Sequence, residues 1–258
     1  MVFQWFNRRR WARIAAEPFP DHWGDLLDAH FAYWGRLSAA ERETLQGIVQ
    51  VLVAEKQWEG CGGLTLTEAM QVIVAAQAGL LILGHPPEAH HYYGNVESVL
   101  IYPSTYLVPG GRGPVEGTQG DRDRAVLGTA HMGGPVVLSW DSALAGGQNH
   151  ADGRNVVYHE FAHKLDMLDG VVDGAPPLDS PAEYQAWAKA MQGAYDRLRA
   201  QVARRRKTLI DAYGATEPAE FFAVATEHFF EQPQQVRKQE PALYAVLSEF
   251  YNQDPAAR

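Results

Sequence analysis

The interpretation of this chain depends on one stretch, His159-Glu160-Phe161-Ala162-His163-Lys164-Leu165-Asp166. On a helix, the two histidines lie four positions apart on one face, so both imidazoles can reach a single metal ion. Glu160 then lies on an adjoining face, from which its carboxylate can take a proton from a metal-bound water. Zinc lowers the pKa of such a water to about 7, so the pattern is typical of metal-assisted hydrolysis.

The residues around the two histidines argue against a surface helix with solvated imidazoles. Val157, Phe161 and Leu165 recur at the helical period and predict a largely buried helix from Asn155 to about Leu168. Buried histidines with a glutamate between them need a compensating partner. We therefore interpret the pattern as a metal site.

A catalytic zinc site needs a third protein ligand and an open position for water. The longer H-E-x-x-H-x-x-G-x-x-H pattern would have glycine at position 166 and a third histidine at position 169. Both positions are aspartate in this chain, so the third ligand must come from elsewhere. A predicted helix from Glu217 to about Glu231 offers other carboxylates, and Glu217 itself is explained by its place at the helix start. Glu220 and Glu227 share a face; the phenylalanines after Glu220 favour it modestly, and Glu227 stays open.

The amino-acid composition and net charge exclude several classes of function. The 258 residues include 22 Lys and Arg against 31 Asp and Glu, a formal net charge of −9, which argues against direct binding to nucleic acid or an anionic membrane. The one cysteine, Cys61, excludes an internal disulfide and a cysteine-rich zinc knuckle. The basic start lacks the apolar run of a secretory signal, and the apolar stretch 72–83 is too short for a membrane span. We expect a cytoplasmic protein that holds any zinc through nitrogen and oxygen.

The order of helical and strand patterns along the sequence predicts one domain over residues 1–258, with an α+β fold. About 1–90 is helical, about 95–142 is strand-rich, and about 153–251 is helical and carries the zinc ligands. β-branched and aromatic residues predict strands at 99–102, 105–108 and 135–140. We expect a small, mostly antiparallel sheet packed against several helices, with the metal helix beside it.

Several longer stretches of the sequence resemble the Mlc titration factor A family of zinc metallopeptidases, which are of the gluzincin type. The resemblance covers nearly the whole chain and rests on the stretch quoted above, on Tyr213 and on Pro218-Ala219-Glu220-Phe221-Phe222-Ala223. It implies a zincin-like core similar to that of anthrax lethal factor. The implied ligands of one zinc ion are His159, His163 and Glu220. The resemblance also implies that Glu160 is the general base and that Tyr213 donates a hydrogen bond to the oxyanion of the tetrahedral intermediate.

Two further acids and one strand are candidates for supporting roles. Asp166 could accept a hydrogen bond from an imidazole N–H, and Glu227 could act similarly behind Glu220. For each acid, a plain polar helix residue is an equally good interpretation. An edge strand binds the substrate backbone in metallopeptidases of this type. The candidates for that strand are Val136, Val137 and Leu138, with an ordinary core strand as the alternative.

We therefore expect a zinc-dependent metallopeptidase that acts on peptides, and the resemblance favours aminopeptidase-like activity on short substrates. It also implies a second class of function. In that alternative, the protein is a regulator that binds the glucose repressor Mlc, or another regulator, and keeps it from DNA in control of the sugar phosphotransferase system. Peptidase activity would then be secondary.

Overall fold

The computed structural model describes residues 2–87, 91–104 and 134–258, with side chains from Phe6 onward. Its helices are α1 (Val2–Ala15), α2 (Asp21–His30), α3 (Ala39–Glu55), α4 (Glu68–Ile82), α5 (Trp140–Gln148), α6 (Val156–Asp166), α7 (Pro181–Ala203), α8 (Pro218–Glu231), α9 (Pro233–Gln239) and α10 (Pro241–Tyr251). Its strands are β1 (Gln57–Gly60), β2 (Ser98–Tyr102) and β3 (Val136–Ser139). Short 3-10 turns occupy Trp34–Arg36, Met167–Asp169, Ala212–Ala215 and Pro255–Ala257.

The three described strands form a parallel sheet in the order β1-β2-β3, so the expected antiparallel pairing is wrong. Trp58 pairs with Val99, and Val99 in turn pairs with Val136. Parallel neighbours need a long crossover, and α4 lies within the connection from β1 to β2.

The parallel sheet was not predicted because β1 lacks the sequence pattern that is typical of a strand. β1 reads Gln57-Trp58-Glu59-Gly60, which has no apolar alternation and no β-branched residue. The predicted strand at 99–102 is confirmed, and the one at 135–140 ends earlier because Trp140 begins α5. The predicted strand at 105–108 lies outside the described residues.

Buried apolar side chains between Trp11 and Ala256 form one continuous cluster. Helix α8 lies deep in it, because all of its residues from Ala219 to Glu231 are buried. Among the residues that the structure describes, no helix has the length and hydropathy to cross a bilayer.

Gln77 is a polar residue in the middle of the apolar helix α4, and its side chain is completely buried. Its Nε2 donates to the carbonyl of Ala143 at 3.0 Å, and its Oε1 accepts from Nδ2 of Asn155 at 3.0 Å. Asn155 caps α6 through a 3.0 Å bond from the N–H of Tyr158 to its Oδ1. Gln77 therefore ties α4 and α5 to the start of the helix that carries both histidines.

We expect Gln77→Leu to lower the free energy of unfolding by about 2 kcal/mol or more, because it leaves buried polar groups without partners. Urea unfolding followed by circular dichroism measures this. The matched control is Gln71→Leu on the same helix, where the side chain is half-buried. Equal midpoints for the two variants would contradict the proposed role of Gln77.

Candidate metal centre

Helices α6 and α8 pack against each other and bring the candidate ligands together. On α6, Val157, Phe161 and Leu165 face the core, which turns His159 and His163 toward α8. Pro218 begins α8, where its missing N–H removes no helical hydrogen bond. Glu220 therefore lies in the first turn of α8, opposite both imidazoles.

The three side chains form a compact donor triangle. The Nε2 atoms of His159 and His163 are 3.3 Å apart, and Oε2 of Glu220 lies 2.9 Å from the first and 3.5 Å from the second. Ligands at about 2.0–2.1 Å from a tetrahedral zinc ion are themselves about 3.3 Å apart. The spacing and the chemistry of these donors, two imidazole nitrogens and a carboxylate oxygen, therefore fit one metal ion.

The charges of the site favour a cation. Burial alone would lower the pKa of His159, but its hydrogen bonds to Glu220 and Glu227 outweigh burial and raise the pKa to about 10. Burial alone would raise the pKa of Glu220, but hydrogen bonds to His159 and His163 hold it well below its usual range. The two carboxylates therefore stabilise positive charge at His159.

Glu227, a candidate for a supporting role behind Glu220, lies behind His159. Its Oε1 accepts from Nδ1 of His159 at 2.8 Å, and its Oε2 accepts from the backbone N–H of Asn155 at 2.7 Å. This bond fixes the tautomer that leaves Nε2 of His159 facing the donor triangle. One carboxylate thus orients a candidate ligand and anchors the start of its helix.

Asp166 makes no hydrogen bond to either imidazole within the described part of the chain. Its Oδ2 accepts from the N–H of Gly174 at 2.9 Å, and burial raises its pKa to about 6. Gly174 has a φ of +79°, and a Cβ there would lie 2.5 Å from the carbonyl oxygen of Pro218. Asp166 thus fixes the connection that passes close to the start of α8.

The candidate for proton transfer follows a candidate ligand in sequence, and the candidate oxyanion donor lies close to the ring of that ligand. Glu160 follows His159 on α6 and is half-buried. The ring of Tyr213, also half-buried, has its centroid 6.1 Å from that of His159. Tyr213 stands in the 3-10 turn Ala212–Ala215, which packs on α8.

Lys164 is a buried residue that our sequence reasoning passed over. Its Nζ donates to the carbonyl of Gly134 at 3.1 Å, just before β3, and burial lowers its pKa against the opposing effect of Glu160. Its spacing of four positions from Glu160 could have indicated that it matters, because residues four apart meet on one helix face. Lys164 thereby joins α6 to the start of the candidate substrate strand.

In β3, Val136 and Leu138 are buried and Val137 is half-buried. One edge of β3 pairs with β2, and none of the described strands pairs with the other edge. Helix α6 packs against β3. The three candidate strand residues therefore lie close to the metal helix.

Comparison with known proteins confirms the resemblance. The model of the glucose-regulated metallo-peptidase M90 family matches residues 3–252. An uncharacterized protein of Synechocystis is 34% identical over 254 residues, which is 97% of this chain and 90% of the relative. Mlc titration factor A of Yersinia pestis is 32% identical over 238 residues, 86% of this chain and 81% of the relative, and that of Yersinia pseudotuberculosis matches equally well.

We expect Glu227→Gln to weaken Zn²⁺ binding about 10- to 100-fold, because the amide loses the charge that supports His159. Competition with a chromogenic zinc chelator measures the affinity. Glu217→Gln, at the exposed start of the same helix, is the matched control and should bind like the parent. An unchanged affinity in the Glu227 variant would show that this carboxylate does not support the metal ligand.

Proposed function

The chain belongs to the glucose-regulated metallopeptidase M90 family, and we propose that it is a zinc-dependent peptidase with His159, His163 and Glu220 as the metal ligands. The observation that carries this proposal is the donor triangle, with Glu160 next to it on the same helix. Two imidazoles, one carboxylate and a remaining position for water are typical of catalytic zinc, whereas structural zinc is closed by four protein ligands. A zincin-like core stays our prediction.

When bound, zinc supplies a Lewis acid that polarises the scissile carbonyl and activates water. Glu160 is the general base: its carboxylate takes the proton from the attacking water and passes it to the leaving amine. Tyr213 donates its phenolic O–H to the developing oxyanion. Glu227 holds His159 in the tautomer that the centre requires.

For the substrate we propose a short peptide cleaved in an aminopeptidase-like manner, as the family resemblance favours. Its backbone would lie along β3 at Val136, Val137 and Leu138, because β-augmentation aligns an extended chain through main-chain hydrogen bonds. Lys164 supports this placement, since its bond to Gly134 ties the start of β3 to α6. We also propose a cytoplasmic location.

We expect Glu160→Gln to lower kcat about 10²- to 10⁴-fold on a panel of amino-acid and peptide anilides, because the amide cannot accept the proton. Zinc content, measured by mass spectrometry of the purified protein, should stay at one ion per chain. Glu249→Gln, an exposed change on α10, is the matched control. Undiminished hydrolysis by the Glu160 variant would overturn its assignment as the base.

A second candidate function is regulation through a DNA-binding repressor. Two observations favour it: the family is described as glucose-regulated, and relatives at 32% identity carry the name Mlc titration factor A. The net charge of −9 suits a protein that meets such a repressor through protein contacts without binding DNA itself.

If both functions belong to this chain, we expect Glu160→Gln to release purified Mlc repressor from its operator DNA as efficiently as the parent does. The change is confined to the proton-transfer group and leaves the outer surface intact. Gel-shift titration of the repressor–DNA complex measures the release. If neither form displaces the repressor at micromolar concentration, the regulatory candidate is rejected.

A further inference from the structure

The backbone that leads into α6 is held by two carboxylates of α8. Oε2 of Glu231 accepts from the N–H groups of Gly153 and Arg154 at 2.8 and 2.9 Å. Oε2 of Glu227 accepts from the next N–H, that of Asn155, at 2.7 Å. Three successive backbone N–H groups are therefore held against α8, and these bonds fix the backbone of Arg154.

The side chain of Arg154 extends from this fixed backbone to the turn that carries Tyr213. Its Nη2 lies 3.2 Å from Oδ2 of Asp211. The other oxygen of Asp211, Oδ1, accepts from the backbone N–H of Tyr213 at 2.9 Å and caps the turn. A single aspartate therefore contacts both Arg154 and the backbone of the candidate oxyanion donor.

The far side of the same turn is also restrained. The carbonyl of Tyr213 accepts from Oγ1 of Thr216 at 2.7 Å. Gly214 is pressed against α8, since a Cβ there would lie 3.3 Å from Cβ of Val224. Together with these contacts, the bond from the N–H of Tyr213 to Asp211 restrains the Tyr213 backbone.

We propose that Arg154 and Asp211 are positioning residues that align Tyr213 with the metal centre. The proposal rests on the proposed function, because it gives Tyr213 the role of oxyanion donor. The Arg154 and Asp211 side chains are 77% and 37% exposed, and such ion pairs add little to folding stability. Their effect is on geometry, where a displacement of about 1 Å can lower a rate about 100-fold.

The order of effects follows from the contacts that each variant loses. Asp211→Ala loses both the ion pair and the cap, and we expect a drop in kcat of about 10-fold. Asp211→Asn keeps an acceptor for the N–H of Tyr213, and Arg154→Ala keeps the cap, so each should lower kcat only about 3-fold. KM should change little in all three, because an oxyanion donor acts mainly in the transition state.

Two measurements test this proposal in the full-length, zinc-loaded protein. Hydrogen exchange read by mass spectrometry should show faster exchange at 211–216 in Asp211→Ala than in the parent, with 181–203 unchanged. Kinetics on an anilide substrate should show that Asp211→Ala has no further effect in a Tyr213→Phe background, because both changes remove the same contribution. The controls are Arg10→Ala, which breaks the ion pair of an exposed arginine with half-buried Glu55, and Asp169→Ala, which removes the Asp169 bond to the N–H of Val171.

The outcomes separate this proposal from the proposed function. Faster exchange at 211–216 together with non-additive kinetics supports it. Unchanged exchange overturns the positioning role whether or not the protein is a peptidase. Multiplicative losses in the double variant overturn action through Tyr213 while leaving the peptidase function intact. If the parent has no peptidase activity, the proposed function fails, and exchange alone decides whether Asp211 holds the turn.

Discussion

The carboxylate of Glu227 makes the contact on which the rest of this site depends. One oxygen bonds Nδ1 of His159 and the other bonds the backbone N–H of Asn155. A buried imidazole and a buried carboxylate would each be unfavourable alone, whereas together they satisfy one another. Because Asn155 also caps α6, the same carboxylate fixes where this helix begins and how its first histidine is turned.

Helix α8 carries three buried acids, Glu220, Glu227 and Glu231, on an otherwise mostly apolar helix. The first faces the two imidazoles, the second supports one imidazole from behind, and the third holds the loop before α6. Burial and the nearby charge of Asp152 raise the pKa of Glu231 to about 9. Burial therefore disfavours negative charge at Glu231, the acid that lies farthest along α8 from Glu220.

Local patterns in the sequence predicted the local parts of this arrangement. Helical spacing put His159 and His163 on one face, and the helix predicted to begin near Asn155 is present as α6. Long-range pairings had no local signal. The parallel sheet depends on β1 at Gln57–Gly60, whose composition does not indicate a strand.

The hydrogen-bond partners of the acidic side chains around the site could not be predicted from the sequence either. Asp166 was a candidate partner of an imidazole and Glu227 a candidate support behind Glu220, yet it is Glu227 that bonds an imidazole, since the packing of α6 on α8 decides which carboxylate is within reach. The pairing of Arg154 with Asp211 joins residues 57 positions apart and depends on the same packing. Residue type indicates that a buried charge needs a partner, and the tertiary fold selects that partner.

The central claim is that His159, His163 and Glu220 hold one zinc ion, and anomalous diffraction from zinc-loaded crystals at the zinc absorption edge tests it most directly. We expect one strong peak per chain, about 2.0–2.2 Å from Nε2 of each histidine and from a carboxylate oxygen of Glu220. A peak held by other residues, or no peak between α6 and α8, would contradict it.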